Sequence, residues 1–330
     1  MRAVVITRPG GPEVLELREV PRPNPETGQV LVRVRAAGLN RADLLQRQGR
    51  YPAPPDAPPD IPGLELAGEV AALGTGVREW REGQRVFALT GGGAYADYVV
   101  VHERMLVPLP DRLGWSEGAA VPEAFITAHD ALVAQAGLRL SERVLIHAVG
   151  SGVGLAAVQL ARTLGGIPYG TARREAKIEA ARALGLEDGL VLQRDLEPLI
   201  DRAREWTGSA GMDVVLDLVG GPYTPASVST LGTRGRLVLI GTLAGARAEL
   251  PLGRMLSKRL TIRGTMLRSR PLEEKIAATR AFARQVVPQL ERGVVRPVVD
   301  SEFAIADVRA AHERLESDET IGKVVLVVNP

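Results

Sequence analysis

The sequence contains no cysteine, and this absence limits the chemistry that the chain can perform. Without thiols there are no disulfides, no cysteine nucleophile and no cysteine-bound zinc. Aromatic residues make up only 4% of the chain, and no basic cluster is interleaved with them, as a surface for single-stranded nucleic acid requires. A nucleic-acid partner is therefore not expected, and the chemistry has to come from other residue types or from a bound cofactor.

Long apolar runs and an excess of charge are also missing. No apolar stretch reaches the roughly 18 residues of a membrane-spanning helix, and the first residues alternate like a strand. Basic and acidic residues nearly balance, with Lys+Arg 41 against Asp+Glu 39 and a net charge of +2. Apolar residues at 45% are typical of a globular protein, so we expect a cytoplasmic chain without a membrane partner.

The most informative segment is a glycine cluster between two short predicted strands. Residues 144–148 form an apolar run typical of a buried strand, an amphipathic helix is predicted from Val153, and a second strand from residues 166–171. The glycines between the first strand and the helix are Gly150, Gly152 and Gly154. This arrangement is typical of a dinucleotide site, because glycines let the backbone approach the pyrophosphate and the helix N-terminus offers free N–H groups.

The residues after the second predicted strand indicate which dinucleotide is bound. An NAD site places a carboxylate here for the ribose hydroxyls, whereas this chain has Ala172, Arg173, Arg174 and, further on, Lys177. These cations favour a 2′-phosphate, so the sequence predicts NADP(H) as the cofactor. Two alternatives stay open: an ordinary strand-to-helix turn without a ligand, and arginines that only form a solvated helix start.

The length of 330 residues and two kinds of secondary-structure pattern predict two domains. Up to about residue 122, short alternating or β-branched runs separated by Gly and Pro predict a β-rich region, with a proline-rich loop over residues 52–62. A predicted helix over 118–136 is then followed by strands alternating with helices, which indicates a parallel sheet. A helix over 272–292 precedes a final β segment. The predicted fold class is α/β.

Seven segments spread along nearly the whole chain carry a family resemblance. They are GLNRADLLQRQGRYP (38–52), PGLELAGEV (62–70), PEAFITAHDAL (122–132), VLIHAVGSGVGLAAVQLAR (144–162), MDVVLDLVGG (212–221), GTMLRSR (264–270) and ETIGKVVL (319–326). On these segments the chain resembles zinc-free NADPH:quinone oxidoreductases of the medium-chain dehydrogenase/reductase superfamily. More narrowly it resembles the tumour-suppressor-inducible quinone oxidoreductase branch, and more loosely zeta-crystallin.

The resemblance implies a two-domain fold and an activity. A GroES-like, β-rich catalytic domain would comprise residues 1–122 with 296–330. A doubly wound, parallel-sheet Rossmann domain that binds NADP(H) would comprise residues 123–295. The implied activity is NADPH-dependent, two-electron reduction of quinones by direct hydride transfer, in a cleft at the carboxyl ends of the sheet strands.

Two positions in the resembling segments speak against a catalytic zinc. Zinc-dependent relatives have a cysteine in place of Asn40 and a histidine in place of Leu64, just before Glu65. The four histidines lack the spacing of a metal site, and a four-cysteine structural zinc lobe is impossible without cysteine. No metal is therefore predicted, and a quinone or enone is the expected acceptor because it spreads the incoming charge itself.

The resemblance also implies roles for individual residues. Tyr51 and Asn40 are implied as catalytic, Tyr51 near the acceptor oxygen, where it would donate a hydrogen bond or a proton, and Asn40 near the nicotinamide. The cofactor-binding residues implied beside Asn40 are Thr127, Ser151, Gly152, Val153, Gly154, Thr171, Arg173, Arg174, Lys177, Gly241, Thr242, Leu267, Arg268 and Lys323. Alternatives are a packed aromatic for Tyr51, a turn residue for Asn40 and a surface lysine for Lys323. Leu192 stands where relatives have a tyrosine beside the adenosine phosphate, which leaves the NADPH preference dependent on the arginines.

Three functions stay open on the sequence alone. The first is NADPH-dependent quinone reduction, and the second is reduction of an enone, an alkenal or an acyl-chain double bond by the same chemistry. The third is a non-enzymatic, crystallin-like protein that binds NADPH or RNA, against which the missing basic and aromatic surface argues. For assembly, the segment from Leu260 to Arg263 is predicted to be an edge strand that pairs with its copy in a homodimer.

Overall fold

A computed structural model of the protein describes residues 1–193 and 195–328. The strands are β1 (Arg2–Ile6), β2 (Leu15–Glu19), β3 (Gln29–Gly38), β4 (Glu65–Leu73), β5 (Arg85–Leu89), β6 (Tyr98–His102), β7 (Leu106–Pro108), β8 (Arg143–Ile146), β9 (Ile167–Ala172), β10 (Asp188–Val191), β11 (Met212–Asp217), β12 (Leu231–Leu239), β13 (Thr261–Gly264), β14 (Val299–Ala304) and β15 (Lys323–Val327). The helices are α1 (Arg41–Arg47), α2 (Trp115–Ala119), α3 (Thr127–His129), α4 (Gly152–Thr163), α5 (Glu175–Arg182), α6 (Glu197–Thr207), α7 (Tyr223–Thr230), α8 (Leu252–Lys258), α9 (Leu272–Gln285), α10 (Val287–Arg292) and α11 (Val308–Glu316). None of the helices in these two ranges has the length and apolar character needed to span a membrane.

The chain divides into two compact units. The first consists of Met1–Ile126 together with Leu267–Pro330, and the second of Thr127–Met266. The predicted division differs, since it assigns residues 123–295 to the nucleotide-binding domain. Residues 267–295 have their contacts in the first unit, where the ring of Phe282 packs edge-on against Phe87 at 6.2 Å. The boundaries at 122 and 296 stay a prediction about functional domains.

The sheet of the first unit brings three distant parts of the chain to one place. Its strand order is β14-β15-β3-β4-β5-β7, with β6 also paired to β3. Strand β3 runs antiparallel to both β4 and β15, so that Ala37 lies opposite Leu66, and Gly38 lies opposite Val325. The end of β3 therefore meets the beginnings of β4 and β15, although these strands are far apart in the sequence.

The sheet of the second unit is entirely parallel, in the order β10-β9-β8-β11-β12-β13. Leu145, Val215 and Leu237 of three adjacent strands are fully buried in its core. Strand order reverses between β8 and β11, which makes their carboxyl ends the expected ligand position of a sheet of this kind. These two sheets, together with a separate two-stranded sheet of β1 and β2, confirm the predicted α/β class, with one β-rich unit and one parallel-sheet unit.

Two predicted helices are interrupted, and the proline-rich loop is confirmed. The helix predicted over 118–136 is wrong as one element, because α2 ends at Ala119 and π-type turns occupy Pro122–Ile126 and Asp130–Gln135 around α3. Pro122 lacks the N–H that an α-helix requires there. The helix predicted over 272–292 breaks at Val286 between α9 and α10. Residues 52–62 contain neither helix nor strand.

Candidate active site

Asn40 lies at the strand junction of the first unit, where its side chain contacts two charged residues. Its Nδ2 donates to Glu65 Oε1 at 2.9 Å, and its Oδ1 accepts a hydrogen bond from Lys323 Nζ at 2.6 Å. Lys323 Nζ also donates to the carbonyl oxygen of Leu39 and lies 2.5 Å from Glu65 Oε1. The Glu65 side chain is fully buried and that of Lys323 is 6% exposed, so this is an ion pair in the interior. Asn40 is consequently held in one orientation from both sides.

Asp43 fixes the backbone next to Asn40. Its Oδ2 accepts hydrogen bonds from the Asn40 N–H at 2.7 Å and from the Tyr95 hydroxyl at 3.0 Å, and its Oδ1 accepts from the Gly63 N–H at 3.1 Å. Burial raises the pKa of Asp43 to about 6, and these hydrogen bonds and the charge of Lys323 oppose the rise. The start of α1 is therefore tied to the segment that precedes β4.

The residues at this junction can be compared with the ligands that a zinc ion requires. Asn40 offers an amide, and Leu64 is buried and apolar, where a tetrahedral zinc would need thiolate or imidazole ligands. The ammonium of Lys323 is already within hydrogen-bond distance of the Asn40 and Glu65 oxygens, and it would repel a second cation. Within the described residues, no group of three or more His, Cys, Asp or Glu is arranged to hold a metal. These residues do not fit a zinc ion.

Arg268 holds Tyr51 by stacking on its ring. The Arg268 guanidinium carbon lies 4.9 Å from the ring centroid, while Nη2 donates to Gln46 Oε1 at 2.6 Å and Nε to the Gly91 carbonyl at 2.8 Å. Burial raises the pKa of Tyr51, and the positive charge of Arg268 opposes the rise. The half-buried phenol therefore keeps its proton as a hydrogen-bond donor and is a weaker acid than a free tyrosine.

A cavity of about 430 Å³ lies in the first unit beside this pair. Residues that line it include Glu123, Arg268, Lys275, Asp56 and the Gly91–Gly93 turn. Lys275 Nζ donates to Asp56 Oδ2 at 3.1 Å, which ties the proline-rich loop to α9. The volume is within the range of small-molecule sites. Neither Asn40 nor Tyr51 belongs to the cavity wall.

The glycine turn of the second unit has the geometry of a phosphate site. Ser151 precedes α4, and its hydroxyl accepts a hydrogen bond from the Gly154 N–H at 3.1 Å. A Cβ on Gly154 would lie 2.5 Å from the Ala148 carbonyl oxygen, so only glycine permits this close packing of helix against strand. A Cβ on Gly150 would lie 2.6 Å from the Lys177 side chain, which therefore covers the turn. Gly152 and Val153 form the first turn of α4, whose N-terminus offers N–H groups to a pyrophosphate.

The cationic residues follow β9 as predicted in the sequence. Ala172 is the last residue of β9, Arg173 and Arg174 are exposed, and Lys177 lies in the first turn of α5. The nearby carboxylate of Glu175 lies 3.2 Å from Arg182 and is thus directed to its own helix. Leu192 is 2% exposed in the core cluster, where it packs as an apolar residue.

The remaining predicted residues of the second unit have different surroundings. In the described part of the chain, the buried hydroxyl of Thr127 has no hydrogen-bond partner, which suits a ligand that supplies one. Thr171 is buried and its hydroxyl bonds to His147 Nδ1 at 2.8 Å, so that hydroxyl is already used within the unit. Gly241 follows β12 closely packed, since a Cβ there would lie 2.5 Å from a carbonyl oxygen, and Thr242 is exposed.

Comparison with known protein families and sequences shows which family the chain belongs to. The family model for the alcohol dehydrogenase GroES-like domain matches residues 26–111, and the one for zinc-binding dehydrogenases matches residues 191–326. A quinone oxidoreductase of Pseudomonas aeruginosa is 36% identical over 96% of this chain and 97% of its own length. The quinone oxidoreductase of Lama guanicoe is 34% identical over 99% and 98%. The chain belongs to the quinone oxidoreductase family. It is an oxidoreductase of the medium-chain dehydrogenase/reductase superfamily.

Solved structures agree with this family assignment. A mycobacterial protein in complex with NADPH has a TM-score of 0.90 and 28% identity, covering 99% of this chain and all of that one. A structure described as an NAD-dependent alcohol dehydrogenase has a TM-score of 0.86 and 32% identity, covering both chains fully. The oxidoreductase described here uses a nicotinamide cofactor and acts on a small molecule. The predicted GroES-like character of its first unit is confirmed.

The structure brings some of the predicted site residues of this quinone oxidoreductase family member together. Asn40 and Lys323 are in direct contact, and so are Tyr51 and Arg268, with Leu267 buried next to Arg268. Lys323 is 5% exposed, so the surface-lysine interpretation is wrong. Sequence reasoning did not single out Glu123, although it lies in the segment PEAFITAHDAL, because its surroundings depend on the cavity that it lines and on its contact with Glu65.

Proposed function

We propose that the protein reduces quinones in two-electron steps with NADPH, by direct hydride transfer and without zinc. The observation that supports NADPH as the cofactor is the group of three cations after β9, where an NAD site would have a carboxylate. These cations are Arg173, Arg174 and Lys177. The lack of zinc ligands around Asn40 supports a conjugated acceptor, since an unconjugated alcohol or ketone needs an electrophile to stabilise the alkoxide.

The cofactor would be held by residues of the second unit. Residues 151–154 would bind the pyrophosphate through the N-terminus of α4, and the three cations would bind the 2′-phosphate by charge-assisted hydrogen bonds. Gly241 and Thr242, after β12, are proposed beside the nicotinamide, together with the unpartnered hydroxyl of Thr127. The backbone of Thr171 is proposed to contact the adenosine part, since its side chain is bonded to His147.

In the first unit, this chain's residues would orient the acceptor. Reduced nicotinamide supplies the hydride, and the protein has to place the acceptor and stabilise the developing oxyanion. Tyr51, held by Arg268, is proposed to donate a hydrogen bond to the acceptor oxygen. Asn40, fixed between Glu65 and Lys323, is proposed to contact the nicotinamide end of the cofactor.

Dinucleotide preference tests the proposal most directly. We expect quinone reduction with a higher kcat/KM for NADPH than for NADH in the wild type. The double variant Arg173→Gln/Arg174→Gln should raise the Kd for NADPH by tenfold or more and leave that for NADH unchanged, since each charge-assisted hydrogen bond contributes about 1.5–3 kcal/mol. Arg204→Gln is the matched control, because Arg204 is exposed on α6 and pairs with Asp201. An equal loss for both dinucleotides, or no quinone turnover with either, contradicts the proposal.

A homodimer in the cytoplasm is part of the proposal. Strand β13 is the last in its sheet, and among the described residues it pairs only with β12, so its other edge is open to a second copy. We expect a dimeric mass in light scattering at micromolar concentration. Thr261→Pro should lower the dimer fraction, since proline removes a ladder N–H, and a monomeric wild type contradicts this assembly.

A further inference from the structure

The cavity of the first unit contains one carboxyl group with unusual surroundings. Glu123 is partly buried and lines the cavity. Its carboxyl oxygens form no hydrogen bond or ion pair with any described residue. Its backbone N–H donates to Glu65 Oε2 at 2.8 Å, so its position is fixed against the buried ion pair. Solvent reaches the carboxyl oxygens, so a ligand in the cavity can reach them as well.

We propose that the quinone lies partly in the cavity and extends past Arg268 to Tyr51, and that Glu123 donates the proton that completes its reduction. This role rests on the proposed function. The overall step is quinone + NADPH + H⁺ → hydroquinone + NADP⁺, in which the quinone gains two electrons and NADPH is oxidised. The hydride supplies two electrons and one proton. The second proton leaves the Glu123 O–H bond and forms an O–H bond on the quinone oxygen, and the resulting carboxylate regains a proton from water.

The charges around Glu123 suit a proton donor at neutral pH. Burial raises its pKa to about 7, and the negative charge of Glu65 adds to the rise. Lys323 and Arg268 oppose the rise, while Asp43 contributes to it. A general acid is most effective when its pKa lies near the working pH. Tyr51 is less suited to this step, because burial raises its pKa further above neutrality.

Glu123→Gln tests the role, because glutamine keeps the shape and lacks the acidic proton. With 1,4-naphthoquinone we expect kcat/KM to fall about 10²-fold or more, which is the usual contribution of a general acid. The wild-type kcat/KM should decrease as pH rises through about 7, and the variant should lose this limb. Glu123→Asp should restore part of the pH dependence. Glu273→Gln is the matched control, since Glu273 is exposed and pairs with Arg104 on the surface.

Comparing two acceptors gives a second measurement, whose result would not depend on the acceptor if Glu123 had only a structural role. Chlorine substituents make a hydroquinone a stronger acid, so tetrachloro-1,4-benzoquinone needs the donated proton less. With this acceptor we expect the kcat/KM of Glu123→Gln to fall less than tenfold below that of the wild type. With 1,4-naphthoquinone we expect the variant to lose the solvent isotope effect that the wild type shows. Melting temperature and NADPH affinity should match those of the wild type. If the variant does not fold, a wild-type rate without a solvent isotope effect overturns the role.

The outcomes separate the two proposals. A wild type that reduces quinones, with a Glu123→Gln variant that keeps its rate and pH profile, overturns the role of Glu123 and leaves quinone reduction standing. A wild type that reduces no quinone with either dinucleotide overturns the proposed function, and the proton-donor role falls with it.

Discussion

Replacing Lys323 by methionine should strongly destabilise the first unit. The three acceptors of the ammonium are Glu65 Oε1, Asn40 Oδ1 and the Leu39 carbonyl, all within 2.6 Å of Nζ. Among the described residues, Lys323→Met leaves the fully buried Glu65 carboxylate without a counter-ion and with two N–H donors, from Asn40 and Glu123. Removing one partner of a buried ion pair costs about 3–5 kcal/mol, so we expect a loss of that size in the free energy of unfolding.

Urea denaturation of the cofactor-free protein measures this loss, because Trp80 and Trp115 lie in the first unit and report on its unfolding by fluorescence. The double variant Lys323→Met with Glu65→Gln should recover to within about 1 kcal/mol of the wild type, since it removes both charges. Lys258→Met is the matched control.

Two results would refute this reasoning about Lys323. One is a loss under about 1 kcal/mol, the size of a surface pair. The other is a double variant as unstable as the sum of the single ones, which would mean that the two charges do not interact. The kinetics give an independent check: Lys323 lowers the pKa of Glu123, so its removal should move the descending pH limb to higher pH.

Three further predictions concern other parts of the protein. Gly154→Ala should lower the free energy of unfolding by about 1–3 kcal/mol and weaken dinucleotide binding, because the added Cβ would overlap a carbonyl oxygen. Gly253→Ala is the control: a Cβ there meets open space, so urea titrations should show an unchanged free energy of unfolding. Burial lowers the pKa of His312 to about 3, so the unfolded state binds a proton first as pH falls below about 6.5. The free energy of unfolding should then decrease toward pH 3 by at most about 1.4 kcal/mol per pH unit, and His312→Gln should lose this slope in acid titrations. Arg268→Lys should lower the free energy of unfolding by about 1–3 kcal/mol and raise the quinone KM, since a lysine cannot keep both the stacking on Tyr51 and the forked hydrogen bonds. An unchanged KM and an unchanged free energy of unfolding would contradict this prediction.

The parts of the fold that sequence reasoning predicted depend on local patterns. The turn at Gly150–Gly154 and the helix after it follow from glycine spacing and from a 3.6-residue period, and both elements appear where they were expected. The cations after β9 were predicted because the end of a strand can be read from the sequence. The single helix over 118–136 failed because apolar periodicity continues across Pro122, where the hydrogen-bond ladder cannot.

The candidate site depends instead on contacts between distant residues. Asn40 and Lys323 are 283 positions apart, and the antiparallel register of β3 with β15 brings them together. Arg268 and Gln46 are 222 positions apart and meet in the same way only after folding. The resemblance indicated that several of these residues matter, but it did not indicate that Glu65 and Lys323 form a buried ion pair.

The sequence by itself determined the α/β class and the glycine turn before α4, because each follows from residue identity or from periodicity over one element. Only the tertiary structure decided that Lys323 is buried against Glu65, that Arg268 stacks on Tyr51, and that Glu123 lines a cavity. Burial and charge environment are properties of packing between distant strands, and a carboxyl group's chemistry depends on them more than on its neighbours in the chain.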